Sequence, residues 1–167
     1  MAEKLSSEKE ALRVVARQQT EVLLDSAEAA ARQRAHLLLH RDHSDPVQRF
    51  LIGLQPQTYI RPHRHPAQWE MLVPLAGAAR LFIFSPAADI TNVTELAPGR
   101  TTLVEIPMNH WHTLIAVAER TLLLELKPGP FRPSEFAPWA PEESLPLSSE
   151  LVRWLAGADI GESWHSR

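Results

Sequence analysis

The sequence predicts an all-β protein, a single antiparallel barrel or sandwich with a helical segment before it and a proline-rich strap after it. Three observations support this fold class. The first 34 residues are rich in Ala, Glu, Gln and Arg, which favour helix. From residue 35 onward, short apolar runs alternate with Pro and Gly, a pattern typical of many short strands. After Lys127, six prolines fall within PGPFRPSEFAPWAPEESLP, which is too many for regular structure.

Two signals indicate where helices begin in residues 1–34. Ser7 and Glu10 have the spacing of a capping box, in which two side chains satisfy free N–H groups at a helix start. Thr20 precedes the run EVLLDSAEAAA and could cap a second helix or restart the first one. The sequence leaves these two alternatives open.

The predicted barrel covers residues 35–127. Its strands are expected at the apolar runs AHLLLH, RFLIGL, WEMLVPL, RLFIF, TTLVEI, HTLIAVA and TLLLEL. Turn signals recur about every ten residues, a spacing that favours an antiparallel sandwich or barrel over alternating strands and helices. Because Pro74 has no N–H to donate, its strand is expected at a sheet edge or with a bulge.

The remaining residues, 128–167, are predicted to wrap the barrel as an irregular strap. A short amphipathic helix is expected within it, from residue 148 to residue 156. We see no internal repeat and no low-complexity linker, so the helical extension, the barrel and the strap are predicted to form one structural domain.

Composition excludes several classes of partner. The formal charge of −3 and the pI near 6.2 give no attraction to nucleic acid or to anionic membranes, which attract clustered Lys and Arg. No apolar run approaches the roughly 20 residues that span a bilayer, and no apolar signal-peptide core is present. We therefore expect a cytoplasmic protein. Cysteine is absent, so a metal site must use nitrogen and oxygen ligands.

Histidines supply the main functional signal, because four of the eight fall within RPHRHPAQWE and PMNHWHT. On a strand, side chains two residues apart share a face, so His63 and His65 can converge. Glu70 has the opposite parity, but a turn or bulge at Pro66 could return its carboxylate to the same side. His112 follows a Pro-Met-Asn turn and could reach the pair from a neighbouring strand.

The spacing of these residues is recognisable. His63, His65, Glu70 and Gly77 stand as H-x-H-x4-E-x6-G, which resembles the first cupin motif, and P-x4-H ending at His112 resembles the second. The resemblance is closest to the WbuC family of cupin-fold metalloproteins and covers most of residues 35–143. It is carried by the stretches HSDPVQRFL, RPHRHP, WE, WHTLIA, LELKPGP and FAPWAPEE.

This resemblance implies a double-stranded β-helix, or jelly-roll, barrel that holds one divalent transition metal ion. It implies four ligands: His63, His65, Glu70 and His112. Three imidazoles and a carboxylate suit Zn, Fe, Mn, Ni or Cu, and the sequence does not select among them. A closed four-coordinate site would be structural, whereas an open site at the barrel mouth would admit water or substrate, and we favour the open site.

The sequence also departs from the general cupin pattern at several positions. Asn109 stands where the second motif has glycine, and Ala116 stands where it has asparagine. Gln57 occupies the position of a glycine six residues before His63, and the nearest glycine is Gly53. Neither Asn109 nor Ala116 is expected to contact the metal.

Further candidates follow from strand parity. Tyr59 and Arg61 share the parity of His63 and could line the barrel mouth as substrate-binding residues. Arg61 could bind a substrate carboxylate or phosphate, and Tyr59 is also a candidate catalytic residue. Glu125 and Lys127 share parity in TLLLELK and could form a proton-transferring pair or a self-satisfied ion pair.

Several other histidines and tryptophans are weaker candidates. His36 and His40 flank an LLL run and could turn toward the cavity, where His40 would contact substrate. His110 is expected to be an exposed turn residue. Trp69, Trp111 and Trp139 could stack on a sugar ring or fill a core.

Three functional hypotheses remain open because the cupin fold hosts many activities. The first is a metal-dependent isomerase or epimerase acting on a sugar or nucleotide sugar, and the WbuC resemblance implies a setting in polysaccharide (O-antigen) biosynthesis. The second is a non-catalytic protein that binds or senses a small ligand. The third is an Fe(II) dioxygenase. The expected partner is a small, sugar-derived molecule, and a homodimer through edge strands is a further expectation.

Overall fold

Two five-stranded antiparallel sheets form the centre of the protein, and a helix covers the outer face of each sheet. The computed structural model describes residues 12–166. The helices are α1, Arg17–Ala29, and α2, Pro146–Gly157, followed by a 3-10 turn at Trp164–Ser166. The strands are β1 (Arg34–Leu38), β2 (Val47–Leu54), β3 (His63–Arg64), β4 (Glu70–Ala76), β5 (Ala79–Phe84), β6 (Ile90–Leu96), β7 (Val104–Ile106), β8 (Trp111–Ala116), β9 (Thr121–Pro128) and β10 (Glu135–Phe136).

The chain passes repeatedly from one sheet to the other. The first sheet has the strand order β1-β2-β9-β4-β7, and the second has the order β10-β3-β8-β5-β6. Only the β1–β2 and β5–β6 connections join neighbours within a sheet, so most turns carry the chain across the barrel. The predicted all-β jelly-roll fold with an N-terminal helix is confirmed.

The inner core lies between the sheets and receives alternate residues from the longer strands. In the first sheet, β2 and β9 place Ile52, Leu54 and Leu123 inward. Leu81 and Leu114 face them from the second sheet. These five side chains are nearly inaccessible to solvent, so the core is contiguous across both sheets.

The outer faces of the sheets are also buried. Leu23 and Leu24 of α1 pack on Leu51 and Leu122 of the first sheet. A Cβ at Gly53 would lie 3.3 Å from the Cβ of Ala27, so this glycine lets α1 approach β2 closely.

The second sheet is covered by α2 in the same way. Leu151 and Leu155 of α2 join a cluster with Phe82, Phe84 and Trp111. Burial on both faces explains why these strands read as continuous apolar runs and not as an alternating pattern.

The N-terminal helix differs from the sequence prediction. It is one helix, and Thr20 lies inside its first turn with its hydroxyl donating to the Arg17 carbonyl at 2.8 Å. Thr20 therefore neither caps a second helix nor restarts the first. The Gln19 side chain accepts a hydrogen bond from the Ala16 N–H at 2.8 Å and satisfies one free donor at the helix start. The expected capping box at Ser7 and Glu10 lies outside the described residues.

The structure tests the predictions made for Pro74 and for the proline-rich strap. Pro74 lies at a bulge, because the register between β4 and β9 shifts between Pro74 and Ala76, as the missing N–H led us to expect. The strap contains the predicted short helix, α2. It is not wholly irregular, however, because Glu135 and Phe136 form β10 and pair with β3. Within residues 12–166, no helix combines the length and the apolar character that crossing a membrane would require.

Candidate metal centre

Four side chains from both sheets meet at one end of the barrel interior. His63 of β3 and His112 of β8 are direct cross-strand partners in the second sheet. Glu70 is the first residue of β4 in the first sheet. His65 belongs to the connection between β3 and β4. One donor atom from each of the four residues lies within 4.8 Å of the others.

The carboxylate of Glu70 lies close to two of the imidazoles. Its Oε2 is 2.7 Å from Nε2 of His65 and 3.8 Å from Nε2 of His112. The ring centroids of His63 and His112 are 4.4 Å apart, and those of His63 and His65 are 5.2 Å apart. His65, Glu70 and His112 are each less than 5% exposed. The cluster is therefore compact and almost dry.

Hydrogen bonds from the Nδ1 atoms set the tautomers of two imidazoles. Nδ1 of His63 lies 2.9 Å from the Arg61 carbonyl oxygen, and Nδ1 of His112 lies 2.8 Å from the His110 carbonyl oxygen. A carbonyl only accepts, so each Nδ1 carries the proton and each Nε2 keeps a free lone pair. This arrangement of imidazoles is the usual one around a bound metal ion.

Two further observations test whether these residues fit a metal ion. Nε2 of His112 is buried and has no hydrogen-bond partner, although leaving such an atom unpaired costs about 1–3 kcal/mol. The donor set of three nitrogens and one oxygen suits a divalent transition metal. The residues fit the metal that the cupin motifs imply.

The electrostatics favour a cation at the same point. Burial, reinforced by the nearby His112, lowers the pKa of His63 to about 3, so this imidazole is neutral at physiological pH. Burial alone would raise the pKa of Glu70, but its interactions with the imidazoles of His112 and His65 outweigh burial and hold that pKa well below its usual range. Burial opposes charge on His112 as well, yet Glu70 raises its pKa. An ionised carboxylate thus faces three imidazoles.

The structure brings the four predicted ligands together through a turn at Pro66, one of the two alternatives that the sequence left open for Glu70. His65 lies beyond the end of β3, and its carbonyl accepts a hydrogen bond from the Asn109 N–H at 2.8 Å. Glu70 does not return along the same strand, because the chain crosses to the opposite sheet after Pro66. Asn109 has a φ of +65°, so it adopts the backbone conformation that glycine adopts readily and asparagine tolerates.

Glu125 and Lys127 face the barrel interior beside the cluster. Nζ of Lys127 lies 2.9 Å from Oε1 of Glu125, and Glu125 pairs with Leu72 of β4, two residues from Glu70. Burial, together with the charge of Glu70, raises the pKa of Glu125 to about 7. Burial opposes charge on Lys127, but Glu125 and Glu70 outweigh it and raise its pKa. Parity placed this pair on the inner face.

Other sequence candidates lie elsewhere. Tyr59 is buried in the core beneath α2, and its hydroxyl donates to the Pro141 carbonyl at 2.7 Å. His40 is buried with its Nδ1 2.8 Å from the Arg49 carbonyl oxygen, so it supports the β1–β2 connection. Neither contacts the four side chains. The side chain of His110 is exposed, as expected, and only its carbonyl supports His112.

The tryptophans also lie mainly in structural positions. Trp111 is buried in the cluster beneath α2, and Trp139 packs against the same cluster. Trp69 is only partly buried.

Arg61 lines a cleft of about 260 Å³ beside His63. Most of its other lining residues come from distant segments and could not be predicted from the sequence. Only Arg61 and His63 were singled out from the sequence, and no local pattern marks the rest, which are Arg32, Arg34, Ile60, Ser134, Phe136 and Glu143. Ser134 also approaches the cluster, with its Oγ 3.5 Å from Nδ1 of His65.

Comparisons with known proteins place the chain by fold and not by activity. A family model described as "Domain of unknown function (DUF6016)" matches residues 15–96. No curated protein matches the chain. The resemblance to the WbuC family therefore stays a prediction.

Solved structures share the architecture at low sequence identity. A cupin 2 domain-containing protein from Halorhodospira halophila is 15% identical with a TM-score of 0.52, covering 78% of this chain and 85% of its own. An oxalate oxidase in complex with the substrate analogue glycolate is 15% identical with a TM-score of 0.54, covering 78% of this chain and 76% of its own.

The capsular polysaccharide assembling protein CapF from Staphylococcus aureus is 14% identical with a TM-score of 0.54. The match covers 65% of this chain but only 30% of CapF, so the chain spans less than a third of that protein. Together these likenesses establish the cupin fold.

Proposed function

We propose that this protein binds one divalent transition metal ion through His63, His65, Glu70 and His112 and presents it to a small, oxygen-bearing ligand. One observation carries the proposal: the Nδ1 hydrogen bonds of His63 and His112 leave the Nε2 lone pairs of both imidazoles free, and the buried Nε2 of His112 has no hydrogen-bond partner. An arrangement without a metal would leave this atom unsatisfied in a dry site.

The geometry favours an open metal site over a closed structural one. The cleft reaches His63, so a small molecule can approach the cluster from one side. A six-coordinate ion with four protein ligands keeps two positions for solvent or substrate. When bound, such an ion would polarise a carbonyl or hydroxyl oxygen of the ligand.

The reaction that we propose is isomerisation or epimerisation of a sugar or nucleotide sugar. Glu125 would accept a proton from the carbon next to the polarised carbonyl. It would return that proton to the neighbouring carbon in isomerisation, or to the opposite face of the same carbon in epimerisation, so no external oxidant is needed. Lys127, 2.9 Å away, would stabilise the Glu125 carboxylate in its ionised state. The resemblance to the WbuC family and the fold shared with CapF support a setting in polysaccharide biosynthesis.

Proton exchange tests this reaction directly. Metal-loaded protein is incubated in D₂O with a panel of sugars and nucleotide sugars, and proton NMR follows the loss of carbon-bound hydrogen. We expect exchange in the wild type and a large loss of it in Glu125→Gln, which keeps the side-chain shape but cannot accept the proton.

The same experiment separates the competing functions. Ligand binding without exchange or turnover would identify a non-catalytic binding protein. Oxygen consumption that depends on Fe(II) would identify a dioxygenase. Elemental analysis of protein purified without added metal would establish which ion the site selects.

A further inference from the structure

The cleft beside His63 lies at the seam between the two sheets. Arg34 of β1, the edge strand of the first sheet, forms one wall. Arg61, His63 and Phe136 form the other wall, at the β3–β10 edge of the second sheet. The cleft therefore leads from the surface of the barrel to a residue of the metal centre.

Positive charge exceeds negative charge in this cleft. It is lined by three arginines and a single carboxylate, Glu143. Arg32 donates to both carboxylate oxygens of Glu143, and Nη2 of Arg34 lies 3.3 Å from one of them. The other terminal nitrogen of Arg34, Nη1, donates a hydrogen bond to the Tyr59 carbonyl oxygen. Two of the three guanidinium groups are thus already committed.

Arg61 is the lining arginine without a carboxylate partner. Within residues 12–166, no carboxylate pairs with it, and its Nε is buried without a hydrogen-bond partner. Its guanidinium carbon lies 4.8 Å from the centre of the Phe136 ring, and this stacking restricts the orientation of the guanidinium group. An oriented guanidinium with a free buried N–H is suited to a planar, bidentate acceptor.

The charge and the size of the cleft limit what that acceptor can be. Three arginines and Glu143 leave the lining with a net charge of +2, but of these arginines only Arg61 is without a carboxylate partner within residues 12–166. Its single guanidinium fork matches the two oxygens of a carboxylate. A volume of about 260 Å³ lies below the roughly 300–1,000 Å³ of pockets that enclose drug-sized ligands. A small acid fits this space, whereas a nucleotide would extend beyond it.

We infer that this cleft binds the carboxylate of a small organic acid, of about the size of a sugar acid, and that Arg61 recognises it. The inference rests on the proposed function, because it names the ligand class of the same site. With its carboxylate on Arg61, the acid would direct its other oxygens toward the metal centre at His63.

Three probes with the same hexose skeleton test the inference: glucuronate, glucose and glucose 6-phosphate. Their affinities are measured by calorimetry for metal-free and zinc-loaded protein. The variants are Arg61→Gln, which removes the charge, and Arg61→Lys, which keeps the charge but loses the planar fork. Arg64→Gln is the matched control, because Arg64 is paired with Glu135 and stacked on Trp111 outside the cleft. Circular dichroism and melting curves establish that each variant is folded.

We expect the wild type to prefer glucuronate to glucose by at least roughly tenfold, and Arg61→Gln to weaken glucuronate binding by roughly 10- to 100-fold. Arg61→Lys should retain part of the preference, and Arg64→Gln should retain all of it. Equal affinity for glucuronate and glucose would overturn the inference. So would a preference for glucose 6-phosphate, or glucuronate binding that does not depend on Arg61.

The metal-free measurement separates this inference from the proposed function. If the protein binds no metal but still binds glucuronate through Arg61, the proposed metal function fails and the carboxylate subsite stands. If zinc binds and glucuronate then binds equally well to wild type and to both Arg61 variants, the metal itself is the anchor and the subsite fails.

Discussion

Gly77 occupies the turn where the chain passes from the sheet that carries Glu70 to the sheet that carries His63 and His112. Its φ is +67°, a backbone conformation that side chains with a Cβ disfavour. A Cβ built on Gly77 would lie 2.7 Å from Cα and 2.6 Å from Oγ1 of Thr121. The substitution Gly77→Ala therefore combines backbone strain with an overlap that only a backbone shift can relieve.

The expected loss of stability follows from these two contributions. A non-glycine residue in the left-handed region costs about 1–2 kcal/mol, and overpacking of this kind costs about 1–3 kcal/mol. Gly77→Ala should thus lower the free energy of unfolding by about 2–5 kcal/mol, which corresponds to a fall in Tm of about 4–20 °C for a chain of this size.

Gly99→Ala is the matched control. Gly99 also has a positive φ, +81°, but nothing lies within 4 Å of the position that its Cβ would occupy. Gly99→Ala should therefore lower the free energy of unfolding only by the strain contribution of about 1–2 kcal/mol. Urea unfolding of the metal-free proteins measures both variants. Equal losses in Gly77→Ala and Gly99→Ala would refute the argument that contact with Thr121 requires glycine.

Three further predictions concern the helix cap, the protonation state and the support of the cluster. Arg80 donates to three backbone carbonyls at the C-terminal end of α2. The substitution Arg80→Met should therefore lower the free energy of unfolding by about 1.5–3 kcal/mol. Arg153→Met, at an exposed arginine, is the control, and an equal effect of both substitutions would contradict a stabilising role of Arg80 at the helix end.

The pKa of His63 is about 3 in the folded state and near 6.5 in the unfolded state, so below pH 6.5 the unfolded state binds one more proton than the folded state. The free energy of unfolding of the metal-free protein should therefore decrease by up to about 1.4 kcal/mol per pH unit as the pH falls from about 6.5 to 5. His63→Leu should flatten this slope in urea titrations, and an unchanged slope would contradict the assignment. Ser134→Ala should weaken metal binding roughly tenfold, since Ser134 is the hydroxyl neighbour of Nδ1 of His65; unchanged affinity in calorimetry would show that this contact is dispensable.

Local patterns in the sequence were sufficient to predict an antiparallel barrel or sandwich, whereas the membership of the cluster was implied by the resemblance to the cupin motifs. Alternation along TLLLELK placed Glu125 and Lys127 on one face, and the structure has both facing inward because β9 is a regular central strand. Spacing alone showed that the three histidines and Glu70 could converge, and the resemblance to the two cupin motifs implied that they do. Strand alternation depends only on neighbours in sequence, so one chain segment contains that information.

Features that depend on distant segments could not be predicted in this way. Arg32 and Glu143 pair across 111 positions, and Ser134 meets His65 across 69. Parity also failed for Tyr59, because residues 55–62 leave the strand conformation, and the side chain packs outward beneath α2. Alternation describes only residues within a strand, so it carries no information once the chain turns between sheets.

The central claim is that His63, His65, Glu70 and His112 bind a metal ion, and a zinc titration of metal-free protein tests it most directly. Calorimetry near neutral pH would compare the wild type with His112→Ala and with His110→Ala, an exposed histidine two residues away. We expect one ion per chain in the wild type and in His110→Ala, and an affinity more than roughly 100-fold weaker in His112→Ala, since loss of a ligand should exceed the effect of losing its support. Binding to His112→Ala that is as tight as binding to the wild type would contradict the claim.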